Sequence, residues 1–123
     1  MKSFEELACW KTARELRKEV SRITKTFPED EKFRLVDQML RCSRSVTANI
    51  AEGYGKFYIK DNVRYCRSGK GSLTELKDHF LVALDEGYIN ISEYKNKAEE
   101  IEHCIKILNG YINYLNKMNE SKM

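Results

Sequence analysis

The sequence predicts an all-α fold, an antiparallel up-down-up-down four-helix bundle.

 Three observations carry that expectation. Apolar residues recur at helical spacing in four separate segments. The segments are parted by short breaks at Pro28, at Gly53-Tyr54-Gly55 and at Gly87. Only 6 of the 123 residues are Gly, which argues against a turn-rich β sandwich. The length suits one domain, residues 4–118, with a polar tail at 119–123 expected to fray.

The elements follow in chain order. In the first segment Cys9, Ala13, Leu16, Val20, Ile23 and Phe27 step by fours and threes, so a helix is expected over about 4–26. Phe27-Pro28-Glu29-Asp30 then breaks the chain, and its acids suit the positive end of a new helix. Phe33, Val36, Leu40, Ser43, Thr47 and Ile50 keep the spacing in a second helix over about 31–54, its apolar face widened by Leu35, Met39 and Val46. The Gly53-Tyr54-Gly55 run is expected to end it in a left-handed cap. Val63, Cys66, Leu73, Leu76, Phe80 and Leu84 define a third helix over about 58–86, closed by Gly87. Ser92 is the expected cap of a fourth helix over about 92–118, whose seam is Tyr94, Ala98, Ile101, Ile105, Leu108, Ile112 and Leu115. Short links make neighbouring helices antiparallel.

The N-terminus carries no signal-peptide pattern, and the apolar run Phe80–Leu84 is far short of the roughly 20 residues that cross a bilayer. A cytoplasmic chain with no membrane partner is expected. Cys9, Cys42, Cys66 and Cys104 show no metal-ligand spacing and read as small buried hydrophobes.

Two features exceed what a lone bundle needs. A second apolar stripe on the fourth helix (Cys104, Ile107, Tyr111, Tyr114 and Met118) widens its greasy arc to about 200°. Ile107, Tyr111 and Tyr114 are therefore the expected oligomer interface, the alternative being that the tyrosines lie flat with wet hydroxyls. Gly69 and Gly71 sit inside the third helix, where each costs about 1 kcal/mol relative to Ala, so a tight helix crossing or subunit contact is expected there. The run around them lacks the order of a phosphate-binding loop.

Chemistry is sparse. Glu100 and His103 form the single Glu-x-x-His pair and lie off the fourth helix's seam, so no metal site and no cofactor are expected. No nucleophile sits in a recognisable catalytic arrangement, and no enzyme activity is expected. Charge is uneven: the chain is +3 overall, but Arg41–Gly71 holds seven basic residues against two acids, a net +5. Arg41, Arg44, Lys60, Arg64, Arg67 and Lys70 are the candidate nucleic-acid contacts, with Tyr54, Phe57, Tyr58 and Tyr65 interleaved as stacking requires. A solvated charged face is the plainer alternative. Ser45, Asn49, Glu52 and Glu75 form a candidate polar cluster, read either as a hydrogen-bonded clamp with Arg41 or Arg44 or as a ligand pocket.

Several motifs carry a resemblance. Phe27-Pro28-Glu29, Gln38, Arg41, Ser45-Val46, Asn49-Ile50-Ala51-Glu52-Gly53-Tyr54-Gly55 and Gly71-Ser72-Leu73-x-Glu75-Leu76 resemble the 23S rRNA-intervening sequence protein family, as do Leu7-x-x-Trp10 and Ala13. The chain is also similar to the accessory variability proteins of diversity-generating retroelements, basic pentameric rings that bind nucleic acid and a reverse transcriptase. Asp61, Asn62 and Gly69 depart from the family pattern, which has Glu, an aromatic residue and Ala there. The resemblance implies a bacterial homopentameric ring with no known enzyme activity, and places Arg64, Arg67 and Lys70 in the basic role. The expected function is a non-enzymatic RNA- or DNA-binding or scaffold protein. The alternatives are a module that binds a partner protein through the ring, or an enzyme with a site around Asn49 and Glu52.

Overall fold

The structure is a computed structural model, and it describes residues 3–122. Among these are four helices and no strand: α1 (Ala8–Thr24), α2 (Leu35–Tyr54), α3 (Ile59–Asp85) and α4 (Ile91–Ser121). Each helix packs on the next, and α1 closes against α4. The pairing is antiparallel. Ser45 of α2 meets Ser72 of α3, while Gly53, further along α2, abuts Asn62, further back along α3. Likewise Lys77 reaches Glu102 and Asn62 reaches Tyr111 across α3 and α4. Phe80, Met39, Ile50, Leu73, Leu76, Ile101 and Leu108 fill the dry centre.

All six residues of the first apolar run are buried, as expected. The element ends differ in ways that have local causes. Phe4–Glu6 is a separate 3-10 turn capped by the Ser3 hydroxyl, because Leu7 is extended and breaks it from α1. After Pro28 the acids form a 3-10 turn, Glu29–Glu31, and α2 starts only at Leu35. Phe33 therefore stands outside the helix, 84% exposed, rather than in the core. Of the expected run Ser43, Thr47 and Ile50 are buried, together with Leu35, Met39, Cys42, Val46 and Gly53, while Val36 and Leu40 are half-buried.

Gly55, which follows the last residue of α2, is right-handed at φ −78°, so no left-handed cap forms there. Gly87 does take the expected left-handed turn, at φ +79°. There the Tyr88 amide donates back to the Ala83 carbonyl, closing α3. The cap of α4 is Asn90 rather than Ser92: its side chain accepts from the Glu93 amide while Glu93 accepts from the Asn90 amide. The helix continues to Ser121, past the stop expected after residue 118.

The close approach expected at two glycines occurs at one of them. Gly69 is buried, and a methyl there would sit 3.5 Å from the Val46 carbonyl oxygen and 3.8 Å from Leu108. Gly71 faces open space. The tightest spot is Gly53, where a Cβ would lie 2.7 Å from Asn62 Oδ1 and 3.0 Å from the Asn62 carbonyl oxygen. Asn62 itself is buried and satisfied: its amide donates to the Tyr111 hydroxyl at 3.1 Å, and its oxygen accepts from Cys66 Sγ.

On the seam between α1 and α4, Lys97 has a side chain only 6% exposed, with Nζ 3.1 Å from Glu100 and 3.5 Å from Glu19. Arg22 bonds Glu19 at 2.6 Å, and together with Lys97 it holds the Glu19 carboxyl below its ordinary 4.5. The folded carboxyl is harder to protonate than the unfolded one. Its stabilisation is thus complete above pH 4.5 and is lost as the pH falls through the lower folded value.

Two predictions follow from this packing. Gly53→Ala should destabilise by about 1–3 kcal/mol through overpacking, while Gly71→Ala should stabilise by up to about 1 kcal/mol, both read from urea midpoints. Glu19→Gln should lower stability at pH 7 by under about 1 kcal/mol, since the carboxylate is partly solvated and screened, and the gap to the parent protein should close in melts run well below pH 4.5.

Candidate nucleic-acid interface

Helical geometry turns the third apolar stripe inward and so turns Lys60, Arg64 and Arg67 outward, where all three are exposed; Lys70 is half-buried. Lys60 and Lys70, ten residues apart on α3, are separated by about 15 Å along its axis. Arg41 and Arg44 are exposed on α2, next in sequence to Cys42 and Ser45, which meet Ser72 of α3. Two of the six cations are partly neutralised: Arg41 pairs with Asp37 at 3.0 Å and Arg64 with Asp61 at 3.1 Å. Among the described residues Arg44, Lys60, Arg67 and Lys70 form no ion pair.

Aromatic rings adjoin the cations of α3. Lys56 and Arg64 lie over the Tyr65 ring at 5.3 and 5.9 Å. Phe57, in the link between α2 and α3, is 91% exposed and packs edge-on against exposed Tyr58. Tyr54, Tyr58, Tyr111 and Tyr114 line a cleft of about 500 Å³ at this end of the bundle.

The expected oligomer face is narrower than the sequence suggests. Cys104 lies in the core, and Ile107 and Tyr111 are half-buried against it. The Tyr111 hydroxyl accepts from Asn62 rather than from water, and burial raises its pKa despite that bond. Tyr114 alone of the three is mostly exposed, at 58%.

The polar cluster divides. Ser45 and Asn49 form a clamp: Asn49 Nδ2 donates to the Ser45 carbonyl at 2.8 Å and to its hydroxyl at 3.0 Å, and that hydroxyl meets Ser72 across the seam. Glu52 takes no part, being exposed and 3.8 Å from Lys56. Neither Arg41 nor Arg44 joins the clamp; the first turns to Asp37 and the second to solvent. Glu75 lies elsewhere, with its carboxylate 3.0 Å from His79 Nε2.

The four cysteines are buried and free, and burial pushes their thiols up to about 11 for Cys9 and about 12 for Cys42, Cys66 and Cys104. The Glu-x-x-His pair on α4 opens outward, with His103 exposed and Glu100 held by Lys97. A different grouping escaped the sequence reading: Cys42, Glu75 and His79, whose ligand atoms all lie within 4.8 Å of one another. A search for Glu-x-x-His passes over it, since its acid and histidine are four apart and its thiol comes from another helix.

These features define an all-helical bundle with exposed basic residues on its second and third helices. The profile of the 23S rRNA-intervening sequence proteins matches residues 5–110, so the chain belongs to that family. A crystal structure of a protein of unknown function from the S23 ribosomal protein family of Bacteroides thetaiotaomicron shares the fold, with a TM-score of 0.78 and 19% identity over 85% of this chain and 95% of that one. Among curated proteins none matches. No helix of the described residues is long and apolar enough to cross a membrane.

Proposed function

We propose that this chain is a non-enzymatic, cytoplasmic nucleic-acid-binding or scaffold protein that works as a homo-oligomeric ring, a pentamer by family resemblance. The observation that carries this reading is the set of cations Arg41, Arg44, Lys60, Arg64, Arg67 and Lys70, four of which have no carboxylate partner among the described residues, with exposed rings near those of α3. Such a set suits phosphates, with Phe57 and Tyr58 offering faces for unstacked bases. Symmetry multiplies the charge, and Tyr114 with the aromatic cleft supplies apolar surface for a second copy.

The cleft also supports a second reading, in which the ring seats an apolar segment of a partner protein. Salt separates the two. Phosphate binding weakens steeply as counterions compete, whereas apolar docking barely responds.

Binding of structured RNA and duplex DNA, measured at several salt concentrations alongside native mass by light scattering, tests the proposal. The expected mass is a multiple of 14.5 kDa. Lys60→Gln with Arg67→Gln should weaken binding of every sequence alike and cut the log–log salt slope by about 2 per protomer engaged. A monomer at all salts, or a Kd weaker than about 0.1 mM at physiological salt, would contradict it.

A further inference from the structure

We propose that Cys42, Glu75 and His79 form a three-ligand site for a thiophilic divalent transition-metal ion of the Zn2+ class, joining α2 to α3. The geometry is set by the fold rather than by loops. Glu75 and His79 stand four apart on α3, so both project from one face of the helix, as paired ligands on metal-binding helices do. Cys42 arrives from α2, held there by the bond from its thiol to the Ser72 carbonyl at 2.9 Å.

A tetrahedral ion with bonds of about 2.0–2.3 Å places its ligand atoms roughly 3.5 Å apart. The three ligand atoms here lie within 4.8 Å of one another, with Glu75 and His79 at 3.0 Å, so small side-chain adjustments suffice. The donor set selects the ion. A thiolate with an imidazole and a carboxylate suits Zn2+ or Co2+, whereas Mg2+ and Ca2+ require oxygen ligands. The surroundings are graded. Cys42 is buried, the His79 side chain is 13% exposed, and that of Glu75 is 61% exposed. The ion would enter from the Glu75 side, where a water takes the fourth position. On binding, the thiol proton leaves to solvent, the sulfur–metal bond replaces the bond to Ser72, and no electron changes hands.

Cobalt(II) titration of the reduced full-length protein tests the site. One equivalent per chain should produce a thiolate-to-cobalt charge-transfer band with the intense visible bands of four-coordinate cobalt, and Zn2+ should abolish both. Cys42→Ser should remove the charge-transfer band. His79→Gln should weaken binding by at least about 100-fold, since even outer-shell partners are worth 10–100-fold. His103→Gln, altering the other histidine, should change nothing. If Cys42→Ser does not fold, His79→Gln and Glu75→Gln, whose side chains lie nearer the surface, carry the test. Absence of the band at stoichiometric cobalt, or equal affinity in the parent protein and His79→Gln, would overturn the proposal.

Discussion

The seam between α2 and α3 is the constraint on which the rest of the molecule depends. Along it the backbones approach closely at Gly53 and Gly69, and the hydrogen bonds of Cys42 and Ser45 with Ser72 fix the register just beyond Gly69. A slip of one residue on α3 would turn its side chains by about 100°. Asn62 would lose Tyr111, Leu73 and Leu76 would leave the core, and the cations of α3 would rotate off the outer surface. The seam thus sets, in one stroke, what is dry, what is charged and which polar groups can meet.

Most of this architecture was legible in the sequence because burial and helical period carry the same information. The runs on α1 and α3 point inward as their spacing requires, with Gly69 filling the gap in the third. The misread features depended on neighbours. Phe33 fits a heptad on paper, but the turn after Pro28 delays α2 until Leu35. α2 does end at the Gly53-Tyr54-Gly55 run, but without the left-handed cap, and Gly53 is a space left for Asn62 across the seam. The Ser92 cap lost to Asn90 because Glu93 can answer only the earlier residue.

The functional groups divide along the same line. The exposed cations were visible from charge and period alone. Ion pairs such as Arg41–Asp37 and Arg64–Asp61 also lie within one helix and follow from spacing. What crosses between helices was not visible. The Ser45–Ser72 contact, the Asn62–Tyr111 bond and the Cys42–Glu75–His79 grouping each join residues some 27 or more apart in the chain. The Tyr111 case matters for assembly, because a ring expected at a subunit interface spends its hydroxyl inside its own bundle. The rings left mostly exposed are instead Tyr114, Phe57 and Tyr58.

Native-state amide hydrogen exchange tests most directly whether the α2–α3 seam governs the molecule. The amides of Val46, Ile50, Cys66 and Leu73 should exchange slowest, opening only with global unfolding, while those of Leu16 and Val20 on α1 open earlier. Amides of α1 that outlast those of α2 and α3 would contradict the account.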